Sequence, residues 1–375
     1  MRSRATTIPR AESDQAGGDR ANLHSRQTSQ LTCVMPWKAL CMDESQGRIV
    51  ALPCCLSWIR HDYGTVGIGP LHELWNSDGA QFIRERIATG HQNEVCDRNC
   101  PFLISGSYGE SALRIVDGSA EFVANQKLNL QEIAERRVVL RSKPMLVKVM
   151  PSLQCNLDCT MCFQEHGRDA EMSKQDWQDV EQLLPFVREL TFQGGEATLN
   201  PQFRKFLGTL SSQLYPQLRI SLITNGTVFD KPLTHMLSRL LLNSVIVSLN
   251  AATRVTYAGI AGKDLFARVM ENLRGWIDLS RNHPLGRFEL FLSFVVMRSN
   301  FHELTQFLQL SERLGVPVQL LPVIGDRNGE DLFVRDDKHR ELELVLDEAG
   351  AIASAEAGVQ VERIRDILRG YQNVS

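Results

Sequence analysis

From Pro144 onward, short runs of β-branched and large aliphatic residues alternate with stretches whose apolar positions recur at helical spacing. The runs are M-L-V-K-V-M (145–150), R-E-L-T-F-Q-G-G (188–195), L-R-I-S-L-I-T-N-G (218–226), S-V-I-V-S-L-N (244–250), F-E-L-F-L-S-F-V-V-M (288–297) and V-Q-L-L-P-V-I (318–324). Between them lie the helical patterns 176–187, 201–210, 232–241, 264–273 and 302–314. This alternation predicts an α/β domain over 144–325, with six βα units, a parallel sheet and right-handed crossovers. Either an open doubly wound sheet or a barrel satisfies the pattern, and both place functional sites at the carboxyl ends of the strands.

Elsewhere the pattern is weaker. Residues 1–30 hold few large apolar side chains and are expected to be disordered. Residues 31–104 form a cysteine-rich unit in which G-R-I-V-A-L-P-C-C (47–55) reads as a strand; 69–77 and 78–90 read as helices, the second stopped by Gly90. A connector, 105–143, carries an expected helix near Leu130 to Arg136, and the tail 326–375 adds one or two helices.

Composition narrows the function classes. With 375 residues, 43% hydrophobic and 23% charged, core size is not limiting. The net charge of -3, with acids and bases interspersed, provides no basic footprint for nucleic acid or an anionic membrane. No apolar run approaches the roughly 18 to 20 residues that span a bilayer. The start, M-R-S-R-A-T-T-I-P-R, lacks the apolar stretch of a secretory signal. Nine cysteines without such a signal imply a reducing, cytoplasmic setting, where clustered thiols bind metal or do chemistry.

Three of those cysteines, Cys155, Cys159 and Cys162, lie in L-Q-C-N-L-D-C-T-M-C-F, directly after the first strand of the series. A zinc knuckle with a distant fourth ligand, or a set of buried thiols, is the plainer reading of such a run. Zinc sites, however, pair C-x2-C units and close tetrahedrally, and this spacing does neither. A cubane iron–sulfur cluster takes four ligands, so three thiolates leave one iron open.

The stretch C-N-L-D-C-T-M-C-F resembles the C-x3-C-x2-C-aromatic motif of radical S-adenosylmethionine (SAM) enzymes, and the resemblance extends from 145 to about 325. It implies a partial (β/α)6 barrel, a 4Fe-4S cluster on the three cysteines, and SAM chelating the open iron through its amino and carboxylate groups. The reduced cluster then cleaves SAM to methionine and a 5′-deoxyadenosyl radical that abstracts a substrate hydrogen; an electron donor such as flavodoxin or ferredoxin is implied. F-Q-G-G-E-A-T-L-N-P resembles the family's G-G-E-P motif, which makes Gly194, Gly195 and Glu196 expected SAM contacts, with Ala197 in place of proline. Glu196 would accept from an ammonium or anchor the turn. V-S-L-N resembles S-L-D, which gives Ser248 and Asn250 expected ribose contacts, on one side of the strand by alternation. Met161 and Phe163 match positions near the nucleoside. Ordinary turn, strand-end and packing roles stand beside each of these readings.

The upstream cysteines also resemble a family pattern, that of SPASM or twitch auxiliary-cluster modules: a Cys, Pro-Trp, a Gly before a strand, Cys-Cys, a Leu-Trp helix, an Arg helix and a closing pair. Here the module precedes the radical domain and closes with C-x3-C. The resemblance implies a second, auxiliary 4Fe-4S cluster on Cys33, Cys54, Cys96 and Cys100. Cys55 projects to the opposite face if the strand continues, and Cys41 is a packed thiol or a spare ligand. A structural four-cysteine zinc site is the alternative. The nine histidines show no H-x3-H spacing, and His166 is expected to be solvated or hydrogen-bonded.

The resulting expectation is an oxidoreductase or peptide or small-molecule maturase acting by radical chemistry. A non-catalytic iron–sulfur electron carrier, or a SAM-binding protein, is the other function class.

Overall fold

A computed structural model of the chain describes residues 31–98, 100, 103, 114–164, 170–323, 325, 327–334 and 336–372. The expectations for residues 1–30 and for His166 lie outside the described residues. Nine strands form one sheet: β1 (Ala39–Ser45), β2 (Arg48–Leu52), β3 (Gly64–Thr65), β4 (Leu146–Val149), β5 (Glu189–Phe192), β6 (Arg219–Thr224), β7 (Leu242–Ser248), β8 (Glu289–Val296) and β9 (Val318–Pro322). Their order is β3-β2-β1-β4-β5-β6-β7-β8-β9, so β3 and β9 are edges and the barrel is partial. Strands β4 to β9 are parallel, as the alternation predicts.

Side-chain alternation divides the sheet into two faces. Val147, Leu190, Leu222, Val245 and Leu292 are buried in one core cluster with the apolar stripes of the helices. Burying each such side chain contributes roughly 1.5 to 3 kcal/mol. Lys148, Thr191 and Ser244 alternate with these on their strands and belong to the opposite face. Local chemistry sets the helix starts. Ser173 and Asp176 form a capping box, and Asn200, Asp230 and Thr253 cap the helices Pro201–Thr209, Lys231–Leu237 and Arg254–Ala261.

The cysteine-rich segment is joined to the barrel sheet through β1, which runs parallel to β4 with Cys41 opposite Lys148. Apolar patterning did not reveal β1, because A-L-C-M-D-E-S carries two acids of low strand propensity. Both are accommodated: Asp43 pairs with Lys148 at 3.3 Å, and Glu44 accepts from the Gly47 N–H at 2.5 Å. Gln46 and Gly47 both have positive φ, 54° and 73°, the requirement of a type I′ hairpin turn into β2.

The connector helix spans Ala120–Ala134, longer and earlier than the stretch near Leu130 to Arg136. Its buried face is mostly polar, with only Phe122 and Ile133 apolar, so hydrophobic periodicity does not report it. Asn125 exchanges two hydrogen bonds with the Lys143 backbone, and Glu132 accepts from the N–H groups of Arg141 and Ser142. The tail holds the helices His339–Ile352 and Ala355–Gln372, which pack on each other, the second also on β9.

Arg84, fully buried in the helix Asp78–Ala88, ties the N-terminal segment to the connector. Its guanidinium donates to the carbonyls of Pro36 (2.8 Å), Trp75 (2.7 Å) and Val138 (3.0 Å) and to Asn76 Oδ1 (3.1 Å), and lies 4.5 Å from the Trp75 ring centroid. Arg84→Ala removes a charged donor from four acceptors and leaves the Trp75 and Val138 carbonyls without it, and is expected to cost about 3 kcal/mol or more in urea unfolding. Arg84→Lys is expected to recover only part of that loss, because an ammonium cannot reproduce the planar fork.

Candidate functional site

The loop carrying Cys155, Cys159 and Cys162 leaves the carboxyl end of β4 and is held by backbone contacts on several sides. The G-G-E turn after β5 presses on its start: Gly195 N–H donates to Ser152 O (3.1 Å) and Glu196 N–H to Gln154 O (2.8 Å). A Cβ on Gly195 would lie 2.0 Å from Gln154 O, so no larger residue fits there. The C-terminus of the helix Arg254–Ala261 meets the loop's middle, where Ala261 O accepts from Asp158 N–H (3.0 Å) and Ile260 O from Thr160 N–H (2.9 Å). Gly262 ends that helix in the left-handed region at φ 65°, and a Cβ on it would meet Asp158 O at 2.9 Å. From beyond β9, Arg327 donates to Cys162 O (3.0 Å) and Asn328 to Thr160 O (2.7 Å).

The thiols themselves are half-buried. Cys155 Sγ accepts from Leu157 N–H at 3.4 Å and from Asn225 Nδ2 at 3.7 Å. Burial raises all three thiols; Cys159 is pushed up to about 12, with Cys162 and Cys155 adding to the rise. Asp158, Cys159, Thr160, Cys162, Gln164, Arg327 and Asn328 line a cavity of about 720 Å3. Among the described residues, no three His, Cys, Asp or Glu side chains are already drawn together as a metal-binding group. The donor set nonetheless fits a thiophilic iron cluster: three thiols on one clamped loop beside open space, with N–H groups aimed at one sulfur.

Glu196 is fully enclosed, and its carboxylate is occupied. It accepts from Thr198 N–H (3.1 Å), Thr198 Oγ1 (2.6 Å), Thr224 Oγ1 (2.8 Å) and Asn225 N–H (2.6 Å). Burial pushes its pKa up while those donors pull it down, with a net rise. Of its two expected roles, this geometry is that of a turn anchor, tying the end of β5 to the end of β6. Gly194 has φ 150°, and a Cβ there would meet Ser152 O at 2.8 Å. Ser248 is half-buried at the last position of β7. Asn250 lies beyond the strand at φ 58°, so strand alternation does not align it with Ser248; its Oδ1 accepts from Val295 N–H at 2.9 Å. Met161 is half-buried against the core, and Phe163 is exposed.

In the N-terminal segment, an antiparallel bridge between Ile59 and Cys96 folds the closing pair back toward the turn that carries Cys54. Burial lifts Cys33 to about 12, and Cys96 and Cys100 raise it further despite a backbone hydrogen bond that lowers it. Burial also lifts Cys54, with Cys41, Cys33, Cys55 and Cys96 adding to the rise. β2 ends at Leu52; strand alternation therefore does not separate Cys54 from Cys55. Cys41 is buried on β1, where burial raises it to about 11 while Lys148 pulls it down.

Sequence patterning did not assign roles to the helix Arg254–Ala261, Asn225, Gly262, Arg327 or Asn328. Caps were the available signal for the helix: Thr253 before it and Gly262 after it bracket its eight residues. Gly195→Ala is expected to lower stability by about 2 to 3 kcal/mol, because the clash is with backbone that cannot swing aside. Unfolding curves and iron content per chain check this, with less iron retained at the loop than in the parent.

Residues 149–292 match the family described as the Radical SAM superfamily. The probable GTP 3′,8-cyclase of Saccharolobus solfataricus is 31% identical over 194 residues, which cover 50% of this chain and 60% of that protein. The mycofactocin maturase MftC of Mycobacterium ulcerans is 25% identical over 188 residues, 48% of this chain and 47% of that protein. Among solved structures, Streptococcus suis SuiB bound to precursor peptide SuiA aligns with a TM-score of 0.46 at 14% identity, over 75% of this chain and 62% of that one. The chain thus spans less than two thirds of the length of these curated relatives. Its three loop cysteines and G-G-E turn fall inside the matched segment, and the chain therefore carries a radical SAM domain.

Proposed function

We propose that the chain is a radical SAM enzyme in which Cys155, Cys159 and Cys162 hold a 4Fe-4S cluster and leave one iron for SAM. The observation that carries this reading is the loop: three half-buried thiols, fixed by hydrogen bonds with the turn after β5, with the end of the helix Arg254–Ala261 and with the Arg327 and Asn328 side chains, beside a cavity of about 720 Å3. When bound, cluster and SAM supply a 5′-deoxyadenosyl radical that takes hydrogen from substrate. The chain's own residues position and shield. Gly194 and Gly195 let backbone groups approach SAM closely, Glu196 fixes their turn, and Ser248 offers a hydroxyl at a strand end. Met161 and Phe163 supply apolar surface beside the cysteines that keeps water from a reactive intermediate. Asn250, held by its backbone turn, shapes the same rim.

Cys33, Cys54, Cys96 and Cys100 would hold a second, auxiliary 4Fe-4S cluster in this reading, which would supply an acceptor for the electron left after hydrogen removal or a binding point for substrate. The outcome is a net oxidation or rearrangement of a peptide or small natural product, with a flavodoxin or ferredoxin as electron donor. The names of the matched relatives, a nucleotide cyclase and a maturase, are compatible with both substrate classes. Among the described residues, no helix is long and apolar enough to cross a membrane, and nine free thiols suit a reducing, cytoplasmic compartment.

The reconstituted, reduced protein is expected to release 5′-deoxyadenosine from SAM, with release in Cys155→Ala falling to the enzyme-free background by liquid chromatography. Absence of product from fully loaded protein, even with candidate substrates present, argues for an electron carrier instead. A variant with Cys155, Cys159 and Cys162 all replaced by Ala is expected to retain iron and sulfide at the auxiliary site; zinc alone would sink that assignment.

A further inference from the structure

The helix Arg254–Ala261 is fixed at both ends. Glu303 holds its start by accepting from the N–H groups of Ala252 (2.7 Å) and Thr253 (3.1 Å) and from the hydroxyls of Thr253 and Thr256 (2.5 and 2.6 Å). Its end is hydrogen-bonded to Asp158 and Thr160 of the cysteine loop. Tyr257, Ile260 and Ala261 form its buried face, at the spacing i, i+3, i+4 that puts Tyr257 on the same face as the two residues whose carbonyls bond the cysteine loop. Tyr257 is 2% exposed, its ring packs 5.6 Å from that of Phe266, and its hydroxyl has no hydrogen-bond partner among the described residues. Burial raises this phenol well above its ordinary value, and Cys159 and then Cys155 are near enough to raise it further.

A buried hydroxyl without an acceptor costs about 1 to 3 kcal/mol, so its persistence here calls for a partner outside the polypeptide. We infer that the Tyr257 hydroxyl donates a hydrogen bond to a sulfur of the cluster held by Cys155, Cys159 and Cys162. Tyr257 is thus a positioning residue that tunes the cluster. The inference rests on the cluster reading above. A donor at sulfur stabilises the more negative, reduced state, and hydrogen bonds to sulfur are among the levers that set cluster potentials.

The test is Tyr257→Phe, which removes the hydroxyl and keeps the ring. In potentiometric titrations followed by electron paramagnetic resonance, the cluster is the one whose signal changes on adding SAM. Its reduction equilibrium constant is expected to fall by about threefold to tenfold, the latter ~59 mV for one electron. In cluster-free protein the variant is expected to unfold at the same temperature as the parent or higher, because no protein contact is lost. An unchanged midpoint potential, or a cluster-free variant that unfolds earlier, overturns the hydrogen bond alone. A wild-type protein that shows no SAM-responsive cluster signal overturns the cluster reading, and this inference with it.

Discussion

The contact on which the site depends is the approach of the G-G-E turn to the backbone that leads into the cysteine loop. Gly195 lies where a methyl group would be 2.0 Å from Gln154 O, so the two segments are in register only with hydrogen at that position. Glu196 then converts proximity into rigidity, since its one carboxylate satisfies two N–H groups and two hydroxyls drawn from the turns after β5 and β6. Asn225, held by that carboxylate through its N–H, turns its amide toward Cys155 Sγ and Asn156 Oδ1. One buried acid thus sets the spacing between the ends of β5 and β6 and, through Asn225, the first thiol. Removing it would strand four donors, a larger loss than the single charge implies.

The fold was legible wherever burial is apolar. The six parallel strands β4 to β9 and the helices between them show up in the chain as alternating runs, because each packs one hydrophobic face against its neighbours. Legibility failed where burial is polar. The helix Ala120–Ala134 buries Asn125, Asn129 and Glu132, and β1 buries Asp43 and Glu44, so neither carries the expected stripe. The helix Arg254–Ala261 was hidden for another reason: at eight residues it is too short for a periodic signal, and only its caps mark it. In the site, the cysteine spacing and the G-G-E turn were readable because their chemistry is in the residue types. Arg327 and Asn328 were not, since each acts by reaching a carbonyl more than 160 positions away.

The N-terminal segment departs from the picture of a small unit standing before the barrel. Its strand β1 extends the parallel sheet, and the Asp43–Lys148 pair is buried between the two parts, with side chains 4% and 17% exposed. Such a pair gains little net stability over apolar packing, yet breaking it by removing one partner is costly, so it fixes the register of β1 on β4. That register sets Cys41 beside Lys148. The geometry of the upstream thiols is therefore coupled to the barrel by the β1–β4 pairing and by contacts such as Leu71 N–H to Asp179 (2.8 Å) rather than through a flexible linker.

Asn250 shows how a departure from a family motif is absorbed. The position adopts φ 58°, which asparagine tolerates better than most residues, and its side chain accepts from Val295 N–H while its own carbonyl accepts from Asn300. Neutrality is useful here because Glu303 is already buried nearby, where burial raises its carboxyl but four donors from Ala252, Thr253 and Thr256 bring it below the ordinary value. A second carboxylate at 250 would add charge beside it without adding a donor. The turn at Asn250 hands the chain to the helix Arg254–Ala261, and that helix delivers its terminal carbonyls to Asp158 and Thr160. The turn at Asn250 thus bears on the cysteine loop only through the helix it introduces.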